Sequence, residues 1–280
     1  MNNFFRHIVQ VIRYNPLSCL ALGGVCLLIF LALFGQALAP YDAFASSNSI
    51  MQPPSTGHWF GTDNVGRDIF SRVLISARLD LGIAVSAVLL SLVVGAVLGA
   101  IAGFYGGRTD RMISRFMETV MAFPLFVLAM AVVAALGNSV SNIVYATAVI
   151  NLPFYVRVTR TEVNIRRHAQ FVEAAMISGN SNMRIIIVHL IPNVLPTVMV
   201  QASLNMGWAI LNAAGLSFIG LGVRPPDAEW GIMVAEGAQY IVSGEWWAAI
   251  CPGIALMFAV LCFNLLGDAL RDILDPRKRT

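Results

Sequence analysis

Two short stretches of the 280-residue chain carry residue types and spacings that could do specific work. The first is Glu173-Ala174-Ala175, with Gly179 six residues after the glutamate, then His189 and Pro192. A short helix through Gln170–Ile177 would present small alanines on one side for close docking, and Gly179 would let the chain leave it at a left-handed turn. Taken alone, the stretch equally describes a solvated basic loop, since Arg166, Arg167 and Arg184 flank it. The second is Gln201, Asn205 and Asn212. Separations of four and seven residues, at roughly 100° per residue, bring all three within about 40° of one another on a helix. In an apolar segment such a stripe must face other helices or a wet cavity. It then makes interhelical hydrogen bonds of about 0.6 kcal/mol each, or lines a pathway that tolerates a polar solute without holding it.

The remaining inventory removes whole classes of chemistry. Of 18 Lys+Arg, Lys278 is the one lysine, in Asp-Pro-Arg-Lys-Arg-Thr with no glycine run before it. The chain therefore has neither a Walker-type nucleotide loop nor a Schiff-base lysine. His7, His58, His168 and His189 never fall at i, i+4 around a glutamate, so no zincin-type site is expected. Cys19, Cys26, Cys251 and Cys262 lie in apolar runs without Cys-x-x-Cys spacing and read as small buried hydrophobes. Gly215-Leu-Ser217-Phe-Ile-Gly220 lacks the spacing of a nucleophile elbow and reads as a small-residue turn. No catalytic residue, metal ligand, bound cofactor or nucleic-acid partner is expected.

The elements that must position these residues are membrane helices. The chain is 58% hydrophobic and 12% charged, with mean hydropathy +0.74, whereas soluble domains carry about 25% charged residues. A helix needs about 20 apolar residues to cross a bilayer. Six segments meet or approach this length, at 17–39, 79–103, 116–136, 142–156, 185–218 and 247–266. Arg6, Arg13 and Ala37-Leu38-Ala39 give the first span some features of a secretory signal. Its apolar run is too long for that, and an uncleaved anchor is expected. With the amino terminus inside, the inner segments hold Arg6 and Arg13; Arg108, Arg111 and Arg115; Arg157, Arg160, Arg166, Arg167 and Arg184; and Arg271, Arg277, Lys278 and Arg279. The outer segments hold only Arg67, Arg72, Arg78 and Arg224. Fourteen against four places both termini in the cytoplasm.

The expected organisation is thus an all-α, polytopic membrane protein. Residues 1–16 form a cytoplasmic segment, 17–39 the first transmembrane helix and 40–78 an outer segment. A five-helix core follows at 79–268, with an inner loop at 157–184 and an outer loop at 219–246, and residues 269–280 form a cytoplasmic tail. Within the outer segment, Ile69, Phe70, Val73, Leu74, Ala77 and Leu81 recur at helical spacing, with an Asp68–Arg72 pair off that stripe. This predicts an amphipathic helix lying on the outer surface, with Trp59 and Trp246-Trp247 in the interfacial belt. Ser91, Gly95, Gly99 and Gly103 predict close helix packing. Glu118 lies near an end of the third span, within reach of Arg115. No midplane carboxylate of the kind ion-coupled transporters use is present, so energy for any transport must come from a partner.

The loop around Glu173 resembles the EAA loop of inner-membrane subunits of binding-protein-dependent ABC importers, through Glu173-Ala-Ala-x3-Gly179 and Pro192. Further blocks are similar to the C-type subunits of the dipeptide/oligopeptide/nickel permease family. They are Phe60-Gly-Thr-Asp-Asn-Val-Gly66-Arg67-Asp68-Ile-Phe-Ser71-Arg72, Gly103-Phe-Tyr-Gly106-Gly107-Arg-Thr-Asp110, Leu216-Ser-Phe-Ile-Gly220-Leu-Gly222 with Pro225-Pro226 and Glu229-Trp230-Gly231, and Asn264-Leu-Leu-Gly267-Asp268-Ala-Leu-Arg271-Asp272-Ile-Leu-Asp275-Pro276. His189 departs from the hydrophobic residue often found near that position and is not read as a ligand.

The resemblance implies a six-helix fold of the type I ABC importer kind in a bacterial inner membrane. It assigns Glu173, Ala174, Ala175 and Gly179 to a coupling helix that docks on a separate ATP-binding subunit. It further implies a paralogous B-type permease partner, two ATP-binding subunits that carry ATP and Mg, and a periplasmic or lipid-anchored solute-binding protein. The chain itself is expected to be non-catalytic, and Gln201, Asn205 and Asn212 are the residues expected to line its pathway. Dipeptides or oligopeptides are the expected solute, with nickel, glutathione and opine-type solutes as alternatives. An ATP-independent channel or secondary transporter is the alternative from another class.

Overall fold

The computed structural model describes residues 16–274. Arg6, Arg13, Arg277, Lys278 and Arg279, which entered the orientation argument, lie outside the described residues. So do residues 1–15 of the expected amino-terminal segment and 275–280 of the expected tail. Regular structure in the described part is helical, with one isolated antiparallel bridge between Thr62 and Asp68. The helices are α1 (Pro16–Leu38), α2 (Ile69–Tyr105), α3 (Gly107–Met121), α4 (Leu125–Leu136), α5 (Val140–Arg166), α6 (Gln170–Ile177), α7 (Ile191–Phe218), α8 (Trp230–Ala238) and α9 (Trp247–Leu274). A single turn at Asn182–Arg184 and a π-helical segment at Ile185–Leu190 lead directly into α7.

Four helices are long and apolar enough to span a membrane, and a fifth span results if α3 and α4 count as one bent crossing. The bend is 89°. The third expected span is therefore corrected: its first residues belong to the amphipathic helix α3, and Phe123-Pro124 separates that from the apolar α4. Proline 124 lacks an N–H and disfavours helical backbone in the residue before it, so the break falls there. α5 is long enough to cross but carries Asn142, Asn151, Arg157, Arg160 and Arg166.

The outer amphipathic helix does not form as a separate surface element. Its residues are the first turns of the 37-residue α2, and most of them are buried. Nothing between Ile69 and Leu81 breaks a helix, and Arg67, Asp68 and Arg72 find buried partners instead of water, while Arg78 stays exposed. Asp68 is one of them: it caps α2 by accepting from Ser71 N at 2.8 Å rather than pairing with Arg72. Two other expectations change. Cys19 and Cys26 are exposed on α1 rather than buried, and all four cysteines are free. Trp247 is buried with its indole N–H on Thr62 O, whereas Trp59 and Trp246 are exposed.

The core is organised around α2, which packs most extensively on α5 and also meets α1 and α7. The small-residue stripe makes that contact possible. A Cβ on Gly95 would meet Tyr155 Cβ at 2.5 Å, and one on Gly99 would meet Val156 O at 2.6 Å. One on Gly103 would meet Arg160 O at 2.6 Å. The helices are therefore in backbone contact along three turns, the geometry small-xxx-small patterns allow. A second, smaller apolar cluster joins α4 and α5 to the far end of α7 through Val133, Ile143, Ile150, Ala213 and Leu216.

Candidate functional site

The short helix forms where expected, as α6, and its ends have physical causes. Glu173 lies in its first turn, where a carboxylate faces the positive end of the helix dipole. At the other end Asn180 N donates to Ala175 O (3.1 Å) and Gly179 N to Met176 O (3.0 Å), with Gly179 at φ +79°. This is a Schellman closure, and its left-handed residue is a glycine because a Cβ is disfavoured there. The two alanines do not share a face: Ala175 and Val172 are buried against the bundle, while Glu173 and Ala174 are exposed. The outward face also carries Phe171, Met176 and Ile177, the last 88% exposed.

α6 is tied at both ends to the transmembrane helices. Upstream, Arg166 pairs with Glu162, Arg167 reaches Phe104 O (3.4 Å), and Arg160 Nη2 donates to Asp110 Oδ2 (2.7 Å). The Arg167 and Arg160 contacts fix the end of α5 to the α2–α3 corner. Downstream, Ser181 caps the turn at Asn182–Arg184, and buried Ile185, Ile186 and Leu190 anchor the π segment. His189 lies in that segment and its carbonyl accepts from Asn193 Nδ2. Glu118 forms an exposed contact with Arg115 at 3.9 Å.

The amide stripe opens into a groove of about 380 Å³ between α4, α5, α7 and α9. Gln201, Asn205 and Asn212 all line it, and the structure adds Asn151 from α5 and Asn264 from α9. Phe126, Phe154 and Trp208 supply aromatic walls, and no charged side chain contributes to the lining. Gln201 Nε2 donates to Asn205 Oδ1 at 2.9 Å, while Asn151 and Asn212 bond carbonyls one turn back on their own helices. Asn205 is 4% exposed, and its Nδ2 has no hydrogen-bond partner among the described residues. Asn151 and Asn264 had a sequence signal too: each is a lone amide inside an apolar run, which costs free energy in a membrane unless something polar meets it.

At the opposite end from α6, a charged cluster holds the 39–68 and 219–229 loops to α2 and α8. Asp63 accepts from Arg67 Nε at 2.6 Å, and Arg67 Nη2 reaches Glu236 Oε2 at 3.3 Å. Arg72, 1% exposed, donates to Ala43 O (3.1 Å), Pro226 O (3.4 Å) and Asp227 O (3.3 Å). Glu229 caps α8 by accepting from Gly231 N and Ile232 N. Burial pushes its carboxyl up, against the lowering effect of the neighbouring Asp80 and of those two amides. Asp63, Arg67, Arg72 and Glu229 fall in the motif blocks, yet Glu236, Ala43 and Asp227, which complete the cluster, do not.

Residues 95–280 match the family described as binding-protein-dependent transport system inner membrane component. The probable D,D-dipeptide transport system permease protein DdpC of Escherichia coli K12 is 41% identical over 96% of this chain and 91% of its own length. The dipeptide transport system permease protein DppC of Alkalihalophilus pseudofirmus is 41% identical over 99% and 91%. The glutathione transport system permease protein GsiD of Pectobacterium atrosepticum is 39% identical over 91% and 85%. A chain of the methionine ABC transporter MetNI in an inward-facing conformation shares the fold at TM-score 0.57 and 16% identity, over 73% of this chain and 97% of that one.

Proposed function

Because the chain belongs to the family of binding-protein-dependent transport system inner membrane components, we propose that it is the C-type permease subunit of an ATP-driven importer of dipeptides or oligopeptides. The groove carries the peptide reading. Amide side chains both donate and accept, as a peptide bond does, and five of them line a groove without a charged side chain. A peptide can exchange hydrogen bonds along such a wall without being trapped by an ion pair. Glutathione, itself a tripeptide, fits the same chemistry, and one of the relatives is named for it.

In this reading the chain crosses a bacterial inner membrane six times with both termini in the cytoplasm. It encloses the pathway with a paralogous B-type subunit. Two separate subunits bind and hydrolyse ATP with Mg, and a binding protein delivers solute to the 39–68 and 219–246 side. α6 is the docking element, with Glu173, Ala174 and the exposed Phe171, Met176 and Ile177 facing the ATP-binding subunit. Ala175 and Gly179 support it from within, one by packing and one by capping. Import is vectorial because the binding protein favours one conformational state of the complex over the other.

The test is reconstitution of the two permease subunits with the ATP-binding subunits and binding protein in liposomes. Labelled dipeptide uptake should require ATP and cease when the ATP-binding subunits are left out. Uptake that persists without them would assign the groove to a channel or secondary transporter. Replacing Ala174 by Trp should release the ATP-binding subunit while the permease pair still purifies together.

A further inference from the structure

Asp80 and Glu229 form a buried acidic pair that the coupling and pathway residues do not use. Asp80, in α2, is 1% exposed, and Glu229, at the start of α8, is 0% exposed. Asp80 accepts from the amide of Trp230, the residue that follows Glu229, which brings the two carboxyl groups together. Among the described residues no ion pair reaches either one. The nearby cations are committed elsewhere. Arg72, roughly two turns before Asp80, serves the loop carbonyls and Asp63, and Arg67 serves Asp63 and Glu236. Arg78 and Arg224 are exposed. α7 contributes the Ser217 hydroxyl and no charge. α9 begins with Trp247 and keeps Asp268, Arg271 and Asp272 near its far end.

The hydrogen bonds around the pair leave one carboxyl oxygen without a donor. Glu229 Oε1 accepts from Gly231 N (2.9 Å) and Oε2 from Ile232 N (2.8 Å), so both oxygens act as acceptors. Asp80 Oδ2 accepts from Trp230 N at 3.2 Å. Asp80 Oδ1 is buried and receives no donor among the described residues. Two carboxylates cannot bond each other without a proton, and a buried pair of anions with no cation is strongly unfavourable. Asp80 Oδ1 is the one oxygen of the four free to carry that proton.

We propose that Asp80 and Glu229 hold one proton between them, carried on Asp80 Oδ1 and donated to Glu229, and that this bond positions the start of α8 and the adjoining end of the pathway helix α7. The space for adjustment is small. A Cβ on Gly231 would fall on the backbone of Ala214, and one on Gly237 on the backbone of Ala248, so α8 is wedged between α7 and α9. Ser217, whose hydroxyl accepts from Val223 N at 3.1 Å, lies one turn and a half past Asn212 on α7. Asp80 is thus a positioning residue for the pathway.

The sign of the pH effect follows. Unfolded, an aspartate releases its proton above about pH 4, whereas the folded pair retains one. Folding stability therefore falls as pH rises from there, by about tenfold in the unfolding equilibrium per pH unit for one proton, until the pair itself ionises. Asp80→Asn keeps both bonds, with Nδ2 donating to Glu229 and Oδ1 accepting from Trp230 N, and has no proton to lose.

The experiment compares wild type, D80N and E229Q in the purified complex by thermal unfolding across pH, with infrared spectroscopy of wild type and D80N. D80N should match or exceed wild type at neutral pH, and its advantage should widen as pH rises. E229Q presents an N–H2 to an amide donor and should be weaker at every pH. Wild type should show the carbonyl stretch of a protonated carboxylic acid at neutral pH that D80N lacks. Parallel pH profiles for wild type and D80N, D80N as unstable as E229Q, or no such infrared band at neutral pH would each overturn the proposal. These readouts need no solute, so their failure is distinguishable from failure of the peptide reading.

Discussion

Gly179 offers a clean perturbation because its role is conformational alone. Nothing lies within 4 Å of the position a Cβ would take, so a side chain there meets no steric obstacle. What it meets is φ +79°. For a residue with a Cβ the left-handed region costs roughly 1–2 kcal/mol. α6 has only 8 residues, fewer than the ~12–15 at which isolated helices become marginal, so its form depends on packing of Val172 and Ala175 and on this closure. A loss of about 1–2 kcal/mol lowers the closed population relative to opened ones by about five- to thirtyfold. Gly179→Ala and Gly179→Val should both fall in that range. Gly179→Asn should lose less, since asparagine enters this region more readily.

The assay is simultaneous measurement of ATP hydrolysis and dipeptide uptake in reconstituted complexes. With docking weakened and the permease core untouched, uptake per ATP hydrolysed should fall in the order Gly, Asn, Ala, Val, while insertion and pairing with the second permease subunit stay constant. Wild-type coupling in Gly179→Val would refute the reasoning, because the strain is unavoidable if the closure is kept. Loss of membrane insertion in the same variant would equally refute it, by showing that α6 supports the fold rather than the coupling.

Three further outcomes follow from particular contacts. Gly99→Leu should cost about 1–3 kcal/mol by forcing α2 from α5, seen as a lower melting temperature, whereas Gly82→Leu, with open space at its Cβ, should cost far less. Arg72→Met should strip the donors from three loop carbonyls and a partner from Asp63, a loss of about 3–5 kcal/mol for a broken buried pair. Limited proteolysis should then cut the 39–68 loop, with Arg72→Lys intermediate. Asn205→Leu should change melting temperature little, since its bond with Gln201 contributes about 0.6 kcal/mol, yet should slow dipeptide uptake with ATP-binding subunits still attached.

Local patterns were legible in the sequence where a single helix determines them. The angular spacing of Gln201, Asn205 and Asn212 needs only the helical repeat, and the groove contains all three. The limits of α6 and the left-handed Gly179 are likewise local, set by a cap and a glycine. What escaped reading depended on partners distant in sequence. Arg67 and Arg72 look like the wet face of a surface helix until Pro226, Asp227 and Glu236, more than 150 residues on, supply their bonds. Their burial turns an expected interfacial helix into the start of α2. The break between α3 and α4 was also invisible to hydropathy, which averages across Pro124.

The two ends of the molecule consequently differ in how firmly they are held. At the 39–68 end, buried charges, helix caps and glycine-mediated backbone contacts converge on α2, α7, α8 and α9, so displacing any one strands several polar groups at once. At the other end α6 rests on two buried side chains and a glycine closure, with most of its surface exposed. Segments with few buried contacts are the ones that open at low free energy. In the proposed importer, a push from an ATP-binding subunit would thus be taken up at α6 and the π segment and passed to α7, whose far end is held where Gly231 packs on Ala214 and Val223 N bonds Ser217. A helix driven at one end and clamped at the other must tilt or turn between them. Gln201, Asn205 and Asn212 lie in that interval.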